Sequence, residues 1–154
     1  MKFNYENCSA TNTGIGFRVS SSGNPVKITL NECKSEKVNQ GFIALARDEN
    51  DVFEFVRCTV GLLTSNSTGL NDMGFMWESS INEKGIVGSL PVIKFIKSKV
   101  NYILPIAKSK LYSRDINNAD IGTYGGGSAN IFIENFTNSL GKTGVIIKAI
   151  RGAT

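Results

Sequence analysis

The sequence predicts an all-β fold, a parallel β-helix in which short strands stack coil upon coil, and three observations carry that prediction. Cys8, Cys33 and Cys58 are evenly spaced, the first interval equal to the second. Apolar residues recur in fixed columns around them, with Phe3, Ile28 and Phe53 five positions earlier and Tyr5, Leu30 and Phe55 three positions earlier. The 16 glycines against 3 prolines, together with many Asn, Ser and Thr, favour short extended segments joined by turns over long helices.

The first strand of each unit is marked by alternation. Phe3-Asn4-Tyr5 and Ile28-Thr29-Leu30 switch between apolar and polar by twos, a periodicity that buries one face of a strand and no face of a helix. A second strand follows nine positions beyond the first two cysteines. There Phe17 and Phe42 each come after a glycine, Gly16 and Gly41, and Val19 and Ala44 lie two positions further on. A glycine at that point suits a tight corner with little room for a side chain. A unit as short as the interval from Cys8 to Cys33 cannot bury its own apolar face, so the units must stack, each strand parallel to its equivalent in the next coil.

The register continues to the C-terminus. Ile93-Lys94-Phe95-Ile96-Lys97-Ser98 fits an intermediate rung, with Tyr102-Ile103-Leu104 or Leu104-Pro105-Ile106 as its second strand. Ile131-Phe132-Ile133-Glu134-Asn135-Phe136 forms the last, with Phe136 in the cysteine column and Gly144-Val145-Ile146-Ile147 as its second strand. With anchors at 8, 33, 58, 98 and 136, the expectation is about five coils in a single domain. They are regular over 1–60 and carry loop insertions over 61–154, placed at 61–73, 79–90 and 109–128. Solenoid ends need caps, and neither end has room for one, so the chain reads as a segment of a longer solenoid, or as one whose ends partner subunits cover. The stacked cysteine column is read as free buried thiols, since a disulfide would leave a third thiol over. The alternative fold is a β-sandwich of jelly-roll type, which would pair the segments around Cys8 and Cys33 antiparallel.

Charge and composition bound the function. The net charge is +4, with 7 Lys/Arg against 8 Asp/Glu in residues 1–77 and 10 against 5 in residues 78–154. The basic half, with Lys94, Lys97, Lys99, Lys108 and Lys110, is where an anionic partner would bind; the plainer reading is a solvated face. No aromatic-basic motif accompanies these lysines, so no nucleic-acid partner is expected. No apolar run approaches the ~20 residues of a spanning helix, so no membrane insertion is expected, and no secretory signal opens the chain. Histidine is absent, which removes imidazole-based catalysis and mixed Cys/His metal cages; neither a metal nor a cofactor is expected.

Chemistry without histidine is mostly carboxylate-based, and glycoside hydrolysis by two acids is the natural form of it. The acids in or beside the insertions are Asp72, Glu78, Glu83, Asp115 and Asp120, of which Glu78, Asp115 and Asp120 are taken as catalytic candidates. Trp77, Tyr112 and Tyr124 are candidate sugar-stacking platforms and Arg114 a candidate anion contact. Glu134 reads as a surface residue, and the plainer reading of Trp77 is a core or subunit-contact aromatic.

The three glycine-followed strands at Phe3–Cys8, Ile28–Cys33 and Ile131–Phe136 resemble the right-handed parallel β-helix of the pectate-lyase-like superfamily, most closely the distal part of a bacteriophage tail spike. The resemblance covers about two thirds of the chain and is a pattern of strand type, without the lyase arginine-lysine-calcium arrangement. It implies a homotrimer on the virion tail that binds, and often cleaves, a cell-surface polysaccharide of the host. A polysaccharide depolymerase of the same architecture is the alternative implied, and a jelly-roll viral assembly protein is a second alternative from a different class.

Overall fold

The computed structural model describes residues 1–22, 24–61, 75–79, 90–105, 109–123 and 130–149, with the backbone alone at 75–79, 123, 148 and 149. The elements among the described residues are all strands. In chain order they are β1 (Lys2–Glu6), β2 (Ser9–Thr11), β3 (Ile15–Ser20), β4 (Lys27–Asn31), β5 (Lys34–Glu36), β6 (Gln40–Ala46), β7 (Val52–Val56) and β8 (Thr59–Val60). There follow β9 (Phe75–Ser79), β10 (Val92–Ile96), β11 (Tyr102–Leu104), β12 (Lys110–Ile116), β13 (Asp120–Thr123), β14 (Asn130–Phe136) and β15 (Ile147–Ala149).

These strands form three sheets. The first runs β1-β4-β7-β10-β12-β14, the second β3-β6-β9-β11-β13-β15, and a small third one β2-β5-β8. Every pairing between named strands is parallel. Among the described residues the strand order therefore passes from the first sheet to the second six times, with a strand of the third sheet between them on the first three passes. This all-β arrangement of parallel strands is compatible with a solenoid. Around Cys8 and Cys33 the pairing is parallel, β1 on β4 and β2 on β5, the opposite of what the jelly-roll alternative requires.

Register follows the columns read from sequence. Phe3 pairs with Ile28 and Ile28 with Phe53, Phe53 with Ile93, Ile93 with Leu111, and Leu111 with Ile131. In the second sheet Phe17 pairs with Phe42 and Val19 with Ala44. The apolar sides of the two sheets meet in one core. Phe17 stacks on Phe42 and Phe55 on Phe95, each at 5.0 Å, and Phe42 meets Phe55 edge-on at 5.6 Å, joining one sheet to the other.

One expectation needs correcting. The first sheet holds six strands among the described residues where five coils were expected, because 109–128, read as an insertion, contains β12 and β13. This unit is short, since Ile93 and its partner Leu111 lie closer in sequence than Cys8 and Cys33 do. It also puts Ser113 where Phe95 stands and Ile116 in the cysteine column, so no spacing or residue type announces it. The last strand of the second sheet also begins later than expected, at Ile147. Of the two candidates for the strand after β10, Tyr102-Ile103-Leu104 is the one that forms. The expected insertions at 61–73 and 79–90 lie almost wholly outside the described residues.

The corner that leaves the first sheet is identical in every unit. Asn7, Glu32, Arg57, Lys97, Asp115 and Asn135, each directly before the cysteine column, all have φ between 50° and 56°. This left-handed conformation is costly for a side-chain-bearing residue. The strain is offset by inter-strand bonding that carries on through the turn: the N–H groups of Asn7, Glu32, Arg57 and Lys97 donate to Asn31, Val56, Ile96 and Arg114 carbonyls at 2.9–3.0 Å. In the next column Cys58 Sγ donates to Leu30 O at 3.3 Å and Ser98 Oγ to Phe55 O at 3.1 Å, each reaching back one strand. The three cysteines are free, with Cys33 and Cys58 buried. Burial pushes the Cys58 thiol up to about 12 and raises that of Cys33 too.

The opposite corner rests on Asp51, fully buried. Its carboxylate accepts from Ser21 Oγ at 2.5 Å and from the N–H groups of Val26, Arg47 and Asp48 at 2.9–3.0 Å, binding the turn before β7 to the end of the preceding unit. At the glycine corner, a Cβ on Gly16 would collide with Ser35 Oγ and approach Gly41 O to 2.6 Å, which is the close approach the sequence implied.

Candidate functional site

On the first sheet, alternate side chains point away from the core, and their character changes along the stack. The middle outward column reads Asn4, Thr29, Glu54, Lys94, Tyr112, Phe132. Its centre is ion-paired. Glu54 Oε1 lies 3.2 Å from Lys27 Nζ and 3.5 Å from Lys94 Nζ, and Thr29 Oγ1 donates to its other oxygen at 3.4 Å. One strand further, polar residues give way to rings. Tyr112 and Phe132 stack with centroids 4.7 Å apart and planes 12° from parallel, yet both are exposed, at 38% and 48%.

These rings form part of a depression of about 590 Å³ on that face. Lys94, Arg114 and Glu134 supply its charged groups and Val52, Val92 and Ile96 its apolar floor. Arg114 and Glu134 are register partners on adjacent strands, yet no ion pair joins them; Arg114 Nε reaches instead to Asp115 Oδ2 at a long 3.9 Å. A shallow apolar floor, two stacked rings and a few convergent polar groups make a surface fit for a flat ligand with one apolar face and a polar edge.

The structure brings two of the sequence candidates together here, Tyr112 and Arg114, and places Asp115 beside them at the corner. Asp115 is one-third exposed, and its Oδ1 accepts from Asn135 Nδ2 at 2.7 Å. Asp120 stands apart, on β13 of the second sheet. It is buried, its Oδ1 accepts from Ser139 N at 3.0 Å, and it faces Tyr102, whose hydroxyl is pushed up to about 12 by burial and then by that carboxylate. Trp77 and Glu78 lie on β9, where only the backbone is described; Tyr124, Asp72 and Glu83 lie outside the described residues. Among the described residues no group of three acids or thiols is placed to hold a metal ion.

Two members of the site, Phe132 and Glu134, escaped the sequence reading as ligand contacts, and Lys94 was read only within the basic cluster where an anionic partner would bind. The signal for Phe132 was present as an aromatic outward position aligned with Tyr112. That alignment needed the shorter interval from Leu111 to Ile131, whereas the visible repeat was the longer one from Cys8 to Cys33. No family model matches the chain, and no curated protein or solved structure does either.

Proposed function

We propose that this chain is a structural and host-glycan-binding module of the phage tail-spike kind, built as a right-handed parallel β-helix and acting as a homotrimer on the virion tail. The observation that carries the proposal is the exposed, stacked Tyr112–Phe132 pair beside Arg114, Lys94 and Glu134. As a cross-strand pair the two rings contribute at most about 1 kcal/mol to the sheet, and they leave aromatic surface exposed on which a sugar ring can lay its apolar C–H face. The parallel sheets supply the support, since binding groups on strands are held more firmly than those on loops.

The test is retention on bacterial surface polysaccharide, capsule and lipopolysaccharide being presented separately. Wild-type chain is expected to bind one of them, and Tyr112→Ala or Phe132→Ala to weaken that binding at least about tenfold, a loss of about 1.4 kcal/mol. Undiminished binding by both variants sinks the proposal. The depolymerase alternative draws on Asp115 at the rim of the depression. It requires release of new reducing ends, abolished in Asp115→Ala.

A further inference from the structure

The charges around the depression name the class of sugar, an inference that rests on the glycan reading above. The basic half of the chain and the exposed Arg114 suggest an acidic ligand, but the arrangement of charges is against one. Lys94 is held by Glu54 at 3.5 Å, and Glu54 is shared with Lys27 at 3.2 Å. Arg114 has Asp115 beside it, and Glu134 occupies the neighbouring strand at the same register. Lys27, Lys94 and Arg114 are thus balanced by Glu54, Asp115 and Glu134. Counted together, these six groups leave no cation in excess, and an incoming carboxylate, sulfate or phosphate would meet the carboxylate of Glu134, which no ion pair ties up among the described residues.

We infer that the depression takes a neutral sugar residue, laid against the face that Tyr112 or Phe132 turns away from the other ring, with neighbouring hydroxyls shared between Arg114 and Glu134. The two charged groups have complementary capacities: an ionised carboxylate only accepts hydrogen bonds and a guanidinium only donates them. A hydroxyl does both, so a pair of adjacent ring hydroxyls donates to Glu134 and accepts from the fork of Arg114. Strands adjacent in a sheet lie about 4.8 Å apart, which sets two side chains from partner positions side by side over one ring. Among the described residues Glu134 makes no ion pair or hydrogen bond, and the only ion pair of Arg114 is the long one to Asp115, so both heads are available to such a ligand. Hydrogen bonds to ionised groups are stronger than those between neutral ones, which lets Glu134 decide the ligand's class.

The experiment measures binding of the intact chain to immobilised neutral oligosaccharides (glucan, galactan, mannan and rhamnan fragments) and acidic ones (polygalacturonate, polysialate and hyaluronan fragments). Each is run at about 0.1 M and about 1 M NaCl, between which the screening length falls from about 10 Å to about 3 Å. The expected result is retention of a neutral probe, changed less than about twofold by salt and weakened about tenfold or more in Glu134→Gln and in Tyr112→Ala, with circular dichroism unchanged. Retention of acidic probes alone, lost at high salt and strengthened by Glu134→Gln, overturns the neutral assignment and leaves glycan binding standing. Neutral binding indifferent to Glu134→Gln overturns the assignment of that carboxylate and the inference with it. Retention of no probe by the folded wild-type chain overturns the glycan reading itself.

Discussion

The units around β4 and β7 and those around β12 and β14 share one strand geometry and use their side chains differently. In the first pair the inward columns are large and closed: Ile28, Leu30, Phe53 and Phe55 are all buried, while the outward face is tied off by the Lys27–Glu54–Lys94 ion pairs. In the second pair the inward column weakens to Ser113 and then Ile133, which is 41% exposed, and the aromatic surface moves outward to Tyr112 and Phe132. Buried and exposed aromatic surface are thus separated along the stack. An aromatic ring facing inward at β7 supports the fold, and one facing outward at β14 is available to a ligand.

The largest effect expected from this contrast sets Phe55→Ala against Phe132→Ala. Phe55 is buried between Phe42 and Phe95, so truncation removes apolar contact and leaves a cavity, at a cost of about 3–5 kcal/mol. Phe132 is half exposed and stacks on one ring only; its truncation is expected to cost at most about 1 kcal/mol while weakening glycan retention. Urea unfolding of both variants checks the pair, and equal losses would erase the distinction between the two regions.

A second contrast lies in the column beside the left-handed corners, where Cys8, Cys33 and Cys58 give way to Ser98, Ile116 and Phe136. Burial pushes the folded Cys58 thiol up to about 12 from an ordinary 9.0, so folding favours the protonated form. A raised acid of this kind contributes nothing unfavourable below pH 9; above it the unfolded chain ionises first, and stability falls by about 1.4 kcal/mol per pH unit until about pH 12. Replacing Cys58 by Ala is expected to flatten that alkaline loss, measured as the urea midpoint from pH 8 to pH 11. An unchanged slope would show that other groups govern it, the Cys33 thiol, also raised by burial, and then Tyr102, raised to about 12, being the first of them.

The same separation explains what could be read from the sequence. Inward columns were legible because packing repeats a residue type at a fixed spacing: Phe17 over Phe42 and Phe53 beside Ile28 were placed by periodicity alone. The unit at β12 was not, because it follows its neighbour at a shorter interval and has a hydroxyl and a bare aliphatic where the markers stood. The left-handed corner was hidden for a related reason. Asn, Glu, Arg, Lys and Asp all occupy it, since the turn is dictated by the backbone ladder and selects no side chain beyond excluding β-branched ones. For the site, Tyr112 and Arg114 could be proposed from residue type. Their alliance with Phe132 and Glu134 is a matter of register, and register was not visible across an unmarked unit.

The smallest expected effect tests whether the weakened inward column is a flaw in packing or part of the site. Ser113 is buried between Phe95 and Ile133, and its Oγ has no hydrogen-bond partner among the described residues. A buried hydroxyl with no partner carries a desolvation penalty of about 1–3 kcal/mol, so Ser113→Ala is expected to leave stability unchanged or raise it by about 1 kcal/mol. Tyr112 and Arg114 flank Ser113 on β12 and point to the opposite face, so glycan retention should survive the change. A rise in the urea midpoint with retention intact places Ser113 with the core. A loss of retention at unchanged stability would mean that the hydroxyl acts through the strand on the outer face, and that recognition and packing are less separate here than the two ends of the stack imply.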